Sequence, residues 1–329
     1  MDILKDVDNS DKMVIHTHNL TKKYGDFVAV DNLNLDVKKG EVFGLLGPNG
    51  AGKTTTTLML LGLTEPTGGR AKIAGFDCIR NSIKIKSIVG YLPDNVGFYG
   101  NMTGRENLRF MGRINGLDGD ELEERINKLI ERVNLLDAAD KRTSTYSRGM
   151  RQRLGIADVL MKDPQIIIMD EPTLGIDPEG VRELMFLIRD LAEIDGRTIL
   201  LSSHQLYQVQ KVCDRMGIFV HGKMIACGSL EELGSQINTD GVNTTEISVY
   251  PDNIKAQSLM KALDGVLEVQ KDSDKYIIRS TYDIRRNLSS SLIKEGYTIM
   301  HLRQANSDLD EIYRKYFEKE AGNDESKRS

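Results

Sequence analysis

The stretch "VFGLLGPNGAGKTTTTLML", Val42 to Leu60, constrains the fold more than any other part of the chain. A short apolar run reads as a buried strand, glycines punctuate a turn, and a helical pattern follows. The turn matches G-x-x-x-x-G-K-[ST] across Gly47, Pro48, Asn49, Gly50, Ala51, Gly52, Lys53 and Thr54, with Thr55 next. Glycines let backbone N–H groups wrap around phosphates, and the helix adds the partial positive charge of its N-terminus. Lys53 is expected to reach the β- and γ-phosphates, and the Thr54 hydroxyl to bind Mg²⁺.

A loop of this kind needs an acidic partner, and "QIIIMDEPTLGIDP" supplies one. Ile166 to Met169 read as a buried strand that delivers Asp170 to the metal shell. Glu171 follows, positioned to orient or deprotonate an attacking water. Taken alone, two adjacent carboxylates at a strand end also suit a helix cap. His204 in "LLSSHQL" falls where another strand ends, in reach of a γ-phosphate, although such a histidine is commonly structural. A second helix start, "TYSRGMRQRL", offers a capping hydroxyl at Ser147 and a glycine at Gly149.

From about residue 13 to 235 apolar strands alternate with helical patterns, the mark of a mainly parallel α/β core. A mostly helical insertion runs from about 95 to 161. Leu122, Ile126, Leu129, Ile130 and Val133 fall on one helix face there and read as core. "GSQINTDGVNTTE" is polar and loop-like. Beyond it, over 240–318, the pattern β, α, β, β, α, β predicts a small α+β ferredoxin-like domain. Ile284, Leu288 and Leu292 make one of its helix faces. Leu309, Ile312, Tyr313, Tyr316 and Phe317 predict a last helix with an apolar face. Residues 1–12 and 319–329 read as flexible tails.

The 329 residues carry a net charge of −5, with Lys and Arg spread evenly, which argues against a nucleic-acid partner. No apolar run approaches the ~20 residues that cross a bilayer. "MDILKDVDNSDKM" is acidic and polar, unlike a signal peptide. Cys78, Cys213 and Cys227 form no C-x-x-C pair and read as buried thiols. His16 and His18 read as exposed strand residues, with no carboxylate or cysteine placed to join them at a metal.

Together these motifs resemble the ATP-binding cassette (ABC) ATPase family across roughly residues 13 to 234. The resemblance implies a P-loop NTPase cassette with a helical subdomain, with ATP and Mg²⁺ bound. It makes "YSRGM" a signature motif, in which Ser147 and Gly149 bind the γ-phosphate of ATP held by a second cassette, a homodimer being expected. It makes Tyr24 the aromatic that stacks on adenine, Asp177 the D-loop residue that crosses the dimer, and Glu171, His204 and Lys53 the catalytic set. Asp94 in "GYLPD" occupies the Q-loop, where glutamine is usual. That departure leaves Asp94 between a metal ligand, beside Thr54 and Asp170, and a link to the transport partner. An acidic residue there, "YSxGMRQRL" and a C-terminal α+β extension are similar to the drug- and polysaccharide-exporter branch. The implied protein is the cytoplasmic ATPase subunit of an exporter, peripheral on the membrane and paired with a separately encoded integral-membrane permease. An importer subunit and a soluble non-transport ABC ATPase are the alternatives.

Overall fold

The computed structural model of the chain describes residues 13–237 and 242–304. Both predicted tails and the predicted last helix at Leu309–Phe317 lie outside the described residues. The chain divides into two compact units after Cys227.

In the first unit, β1 (Met13–Tyr24), β2 (Phe27–Leu33), β3 (Asp36–Lys38), β5 (Gly68–Ile73) and β6 (Phe76–Asp77) form an antiparallel sheet. A second sheet holds β4 (Val42–Leu46), β7 (Val89–Leu92), β8 (Ile166–Asp170), β9 (Thr198–Ser203), β10 (Arg215–Val220) and β11 (Lys223–Gly228), in the order β11-β10-β4-β9-β8-β7. From β10 to β7 every neighbour is parallel. Every residue of β4, β8 and β9 is buried, which is why these strands read as continuous apolar runs without alternation. Met59 and Leu60 of α1 (Lys53–Leu60) share one core with Ile15 and Val30 of the antiparallel sheet and with Leu45, Ile166 and Leu200 of the parallel one.

The register of the parallel sheet aligns the strand ends that matter. Leu46 pairs with Ser203 and Asp170 with Ser202, so the residues after β4, β9 and β8 emerge side by side. Ligands of open α/β sheets bind at such carboxyl ends.

After α2 (Ser82–Ile88) comes the insertion, with α3 (Gly104–Ile114), α4 (Gly119–Arg132) and α5 (Arg148–Leu160). Thr103 and Glu106 close a reciprocal capping box on α3. Leu122, Ile126, Ile130 and Val133 are buried as the periodicity predicts. Leu129 is only half-buried: it lines a 440 Å³ cavity with Arg125, Arg132 and Arg197 instead of entering the core. α6 (Pro178–Glu193) and the one-turn α7 (Leu206–Val209) complete this unit. His16 is exposed as expected, but its ring meets the Asp36 carboxylate across the β1–β3 pair. This corrects the reading that no carboxylate stands near it, because only the strand pairing brings Asp36 there.

The second unit begins with α8 (Leu230–Ile237), and β12 (Asn243–Tyr250), α9 (Ile254–Lys261), β13 (Val266–Asp272), β14 (Lys275–Ser280), α10 (Arg285–Lys294) and β15 (Thr298–Gln304) follow. Its antiparallel sheet runs β13-β14-β12-β15, the split βαβ arrangement that the element order predicts. Ile247, Ile278, Ile284, Leu288 and Leu292 are buried in its own core.

Candidate active site

The loop at 47–52 joins β4 to α1, and two of its glycines are needed for close approach. A Cβ on Gly47 would lie 2.5 Å from the Phe219 carbonyl oxygen, and one on Gly52 would lie 2.4 Å from that of Ala29. Gly52 also has φ 107°, and no side chain caps the N-terminus of α1. The first N–H groups of the helix thus remain directed outward, as an anion cradle requires. Lys53 is almost fully buried and donates from Nζ to the carbonyls of Gly47 at 2.7 Å and Pro48 at 3.1 Å.

Thr54 and Asp170 meet as the motifs anticipate. The Thr54 hydroxyl donates to Asp170 Oδ2 at 2.8 Å, and the Ser202 hydroxyl donates to Oδ1. An exposed threonine and a buried carboxylate fixed by β9 make an all-oxygen donor set that suits Mg²⁺. Asp94 lies apart from this pair in its hydrogen bonding: it is exposed, and its main-chain carbonyl accepts from Arg148 Nη2 at 3.1 Å. Its charge is nonetheless felt nearby. Burial, then Asp170 and Asp94, push the Tyr91 phenol up to about 12.

Glu171 is the most constrained residue of the site. Its φ is +47°, an uncommon conformation for a residue with a side chain, and costs on the order of 1–3 kcal/mol. Its N–H donates to the Ser202 carbonyl at 3.0 Å, which holds the turn against β9. One carboxylate oxygen stands 3.3 Å from Lys53 Nζ, and the other 2.9 Å from His204 Nδ1. The His204 N–H also donates to Glu171 at 3.3 Å. Three strand ends thus bring Lys53, Glu171 and His204 together.

Ser147 is exposed and caps α5 by accepting from the Met150 N–H at 3.2 Å, worth about 1 kcal/mol. Gly149 lies beside Ile176. Asp177 caps α6 by accepting from the Gly180 N–H at 3.1 Å. Tyr24, at the end of β1, is 50% exposed, and Lys22 Nζ lies 4.9 Å from its ring centroid. Lys22 thus covers one face of a ring that is otherwise half exposed. β1 pairs with β2, whose Ala29 abuts Gly52, so Tyr24 belongs to the hairpin beside the phosphate loop.

Sequence reasoning missed three features. Ser202 holds Asp170, and its signal was the polar pair that ends the apolar run "TILLSSH". Arg148 touches two loops far from it in sequence, and nothing local announced this. Tyr99 packs edge-on against Phe110 at 5.2 Å while both stay substantially exposed; only the turn of the chain joins them.

A glycine cradle, a lysine under it and a strand-end carboxylate pair define a P-loop nucleoside-triphosphate hydrolase. A family model described as ABC transporter matches residues 30–174. The chain is 41% identical over 227 residues to the probable multidrug ABC transporter ATP-binding protein YbhF of Escherichia coli (strain K12). That match takes in 69% of this chain but 39% of the relative, so the chain spans well under half of that protein's length. It is 33% identical over 311 residues to the bacitracin transport ATP-binding protein BcrA of Enterococcus faecalis, covering 92% of this chain and 96% of that one. A solved dimeric post-hydrolysis state of the ATP-binding cassette MJ0796, bound to ADP and Pi, aligns with a TM-score of 0.60. The identity is 25%, over 65% of this chain and 98% of that chain. This chain belongs to the ABC transporter family and is one of its ATP-binding proteins.

Proposed function

We propose that the chain is the ATP-hydrolysing subunit of an exporter. Two copies close around two ATP molecules and drive a separately encoded integral-membrane permease from its cytoplasmic face. The observation that carries the chemistry is the Glu171 carboxylate, held between His204 at 2.9 Å and Lys53 at 3.3 Å at the end of β8.

In this reading the phosphate chain of ATP lies along Gly47–Thr55, and its base stacks on Tyr24. Lys53 exchanges its carbonyl and carboxylate partners for the β- and γ-phosphate oxygens. Glu171, freed on that side and still held by His204, orients a water and accepts its proton as the water attacks the γ-phosphorus. The bond to the β-phosphate oxygen breaks, leaving ADP and phosphate. Thr54 and Asp170 would hold Mg²⁺, with Asp94 approaching only in the closed pair; the ion would neutralise charge on the phosphate oxygens. Ser147 and Gly149 act on the ATP of the opposite copy, and Asp177 lies across the same junction. Because ATP then sits between two chains, its binding energy favours the closed state.

Exporter function draws on the relatives named for multidrug and bacitracin transport. No helix among the described residues is long and apolar enough to cross a membrane. The exposed pair Tyr99 and Phe110, beside the loop that carries Asp94, offers the permease an apolar surface.

Cross-linking from Tyr99 in native membranes, followed by identification of the captured chain, tests the reading. The expected product is a polytopic membrane protein. Normal ATP turnover with no membrane protein captured would favour a soluble ATPase, and capture of a permease with an external binding protein would favour import.

A further inference from the structure

We propose that Arg148 is a positioning residue that ties the loop at 93–97 to the loop at 171–177, and through the latter to Glu171. The inference rests on the ATPase reading above but gives a role to the one residue between Ser147 and Gly149, to which the motif assigns none.

Arg148 opens α5, between Ser147 and Gly149. Its guanidinium donates from Nη2 to the Asp94 main-chain carbonyl at 3.1 Å. Its aliphatic stem lies against Gly175: a Cβ built there would stand 3.0 Å from Arg148 Cδ and 3.3 Å from Nε. Gly175 has φ +69°, so glycine serves twice at this point, for the left-handed turn and for the close approach. One residue on, Gly149 meets Ile176 in the same way, with its built Cβ 3.2 Å from Cγ2. The start of α5 therefore rests on 175–176 at two successive points and holds 94 at a third.

The second loop carries this contact to the chemistry. Leu174 N–H donates to the Glu171 carbonyl at 3.1 Å, and Ile176 N–H to that of Thr173 at 3.3 Å. These turns leave little slack between Gly175 and the strained Glu171 backbone. The first loop leads from Asp94 to the exposed Tyr99. Arg148 is thus the side chain that spans the gap between an exposed, apolar-tipped loop and the loop of the water-orienting carboxylate. An arginine suits the task because one long side chain supplies both an apolar stem and a planar donor. The acceptor is a carbonyl, so the link does not depend on the side chain at position 94.

Hydrogen exchange and limited proteolysis of the full-length chain, with three variants, test the link. Arg148→Ala removes stem and donor, and should speed both amide exchange at 174–176 and proteolytic cleavage at 94–97 by about tenfold. Arg148→Met keeps the stem and loses the donor, so only 94–97 should loosen. Arg148→Lys keeps both functions in part and should restore protection at both. Steady-state kinetics should show kcat lowered about tenfold in Arg148→Ala with KM for ATP within about twofold, and Arg148→Lys should recover most of the loss. Unchanged exchange at 174–176 or unchanged cleavage at 94–97 in Arg148→Ala, or a kcat within about twofold of wild type, overturns the proposal. A global loss of protection in all three variants also overturns it, because Arg148 would then serve folding alone. Ser147→Arg is the control for the wider reading: if that variant hydrolyses ATP normally, the two-chain site fails, while the exchange pattern still decides the role of Arg148.

Discussion

Lys53 and Glu171 form a nearly buried ion pair at 3.3 Å, with 6% and 12% of their side chains exposed. Phosphate groups compete for the same lysine, so binding a nucleotide exchanges one anion for another at Nζ. That exchange also changes the surroundings of Glu171, which keeps only His204 at its other oxygen.

Glu171→Gln should therefore have two separable effects. The amide cannot take a proton from water, so turnover should fall by roughly 10²–10⁴-fold. It also removes the anion that competes for Lys53, so nucleotide affinity should rise, and an ATP-bound pair of chains should accumulate. Phosphate release, a fluorescent-nucleotide titration and size-exclusion chromatography with ATP and Mg²⁺ read these outcomes. Turnover near wild type, or monomer alone on the column, contradicts the assignment.

Lys53→Ala and Ser147→Arg should both stop hydrolysis, but by different routes. Lys53 lies under the phosphate loop of its own chain, so its loss should weaken binding by the single chain. Ser147 is exposed at the start of α5, and its replacement should spare that binding while preventing closure. Equal weakening of single-chain affinity would place Ser147 beside its own nucleotide and defeat the two-chain site.

The elements that could be read from the sequence are those fixed within one segment. The stretch 42–60 carries strand, turn and helix signals in a row, and 166–171 carries a buried strand with its carboxylates. The βαββαβ order likewise follows from local periodicity alone. Relations between segments were not legible. Two motifs do not reveal that β9 lies between β4 and β8, yet this order puts His204 on Glu171 and Ser202 on Asp170. The His16–Asp36 contact depends on strand register. The Arg148–Asp94 bond uses a main-chain carbonyl, which has no residue signature.

Asp158 predicts a pH dependence of stability. Its Oδ1 is buried without a hydrogen-bond partner, and burial raises its carboxyl from 3.8 to about 6, against a smaller opposing pull from Lys162. A raised acid holds its proton longer in the folded state than in the unfolded one. The penalty is absent below the unfolded value, grows as pH rises from 3.8 to about 6, and is complete above that. Its full size is on the order of 2–3 kcal/mol. Asp158→Asn should accordingly melt higher than wild type at pH 8 and near wild type at pH 4. A difference in melting temperature that does not change between those two pH values would exclude Asp158 as the cause.

Asp94→Asn separates the two roles open to that residue. The substitution keeps size and the main-chain carbonyl that Arg148 holds at 3.1 Å, and it removes only the charge. Mg²⁺ demands near-ideal octahedral geometry at about 2.0–2.1 Å. An exposed aspartate on a loop that the structure anchors by its backbone is poorly suited to meet that demand. Coupling to a membrane partner predicts that the isolated Asp94→Asn chain keeps its Mg²⁺ requirement within about twofold. Its ATPase should then fail to respond when the permease is added back. If the Mg²⁺ requirement of the isolated chain instead shifts by about tenfold or more, equivalent to ~1.4 kcal/mol, Asp94 is a metal ligand first. If neither quantity changes, its carboxylate serves neither role, and only its carbonyl matters, through Arg148.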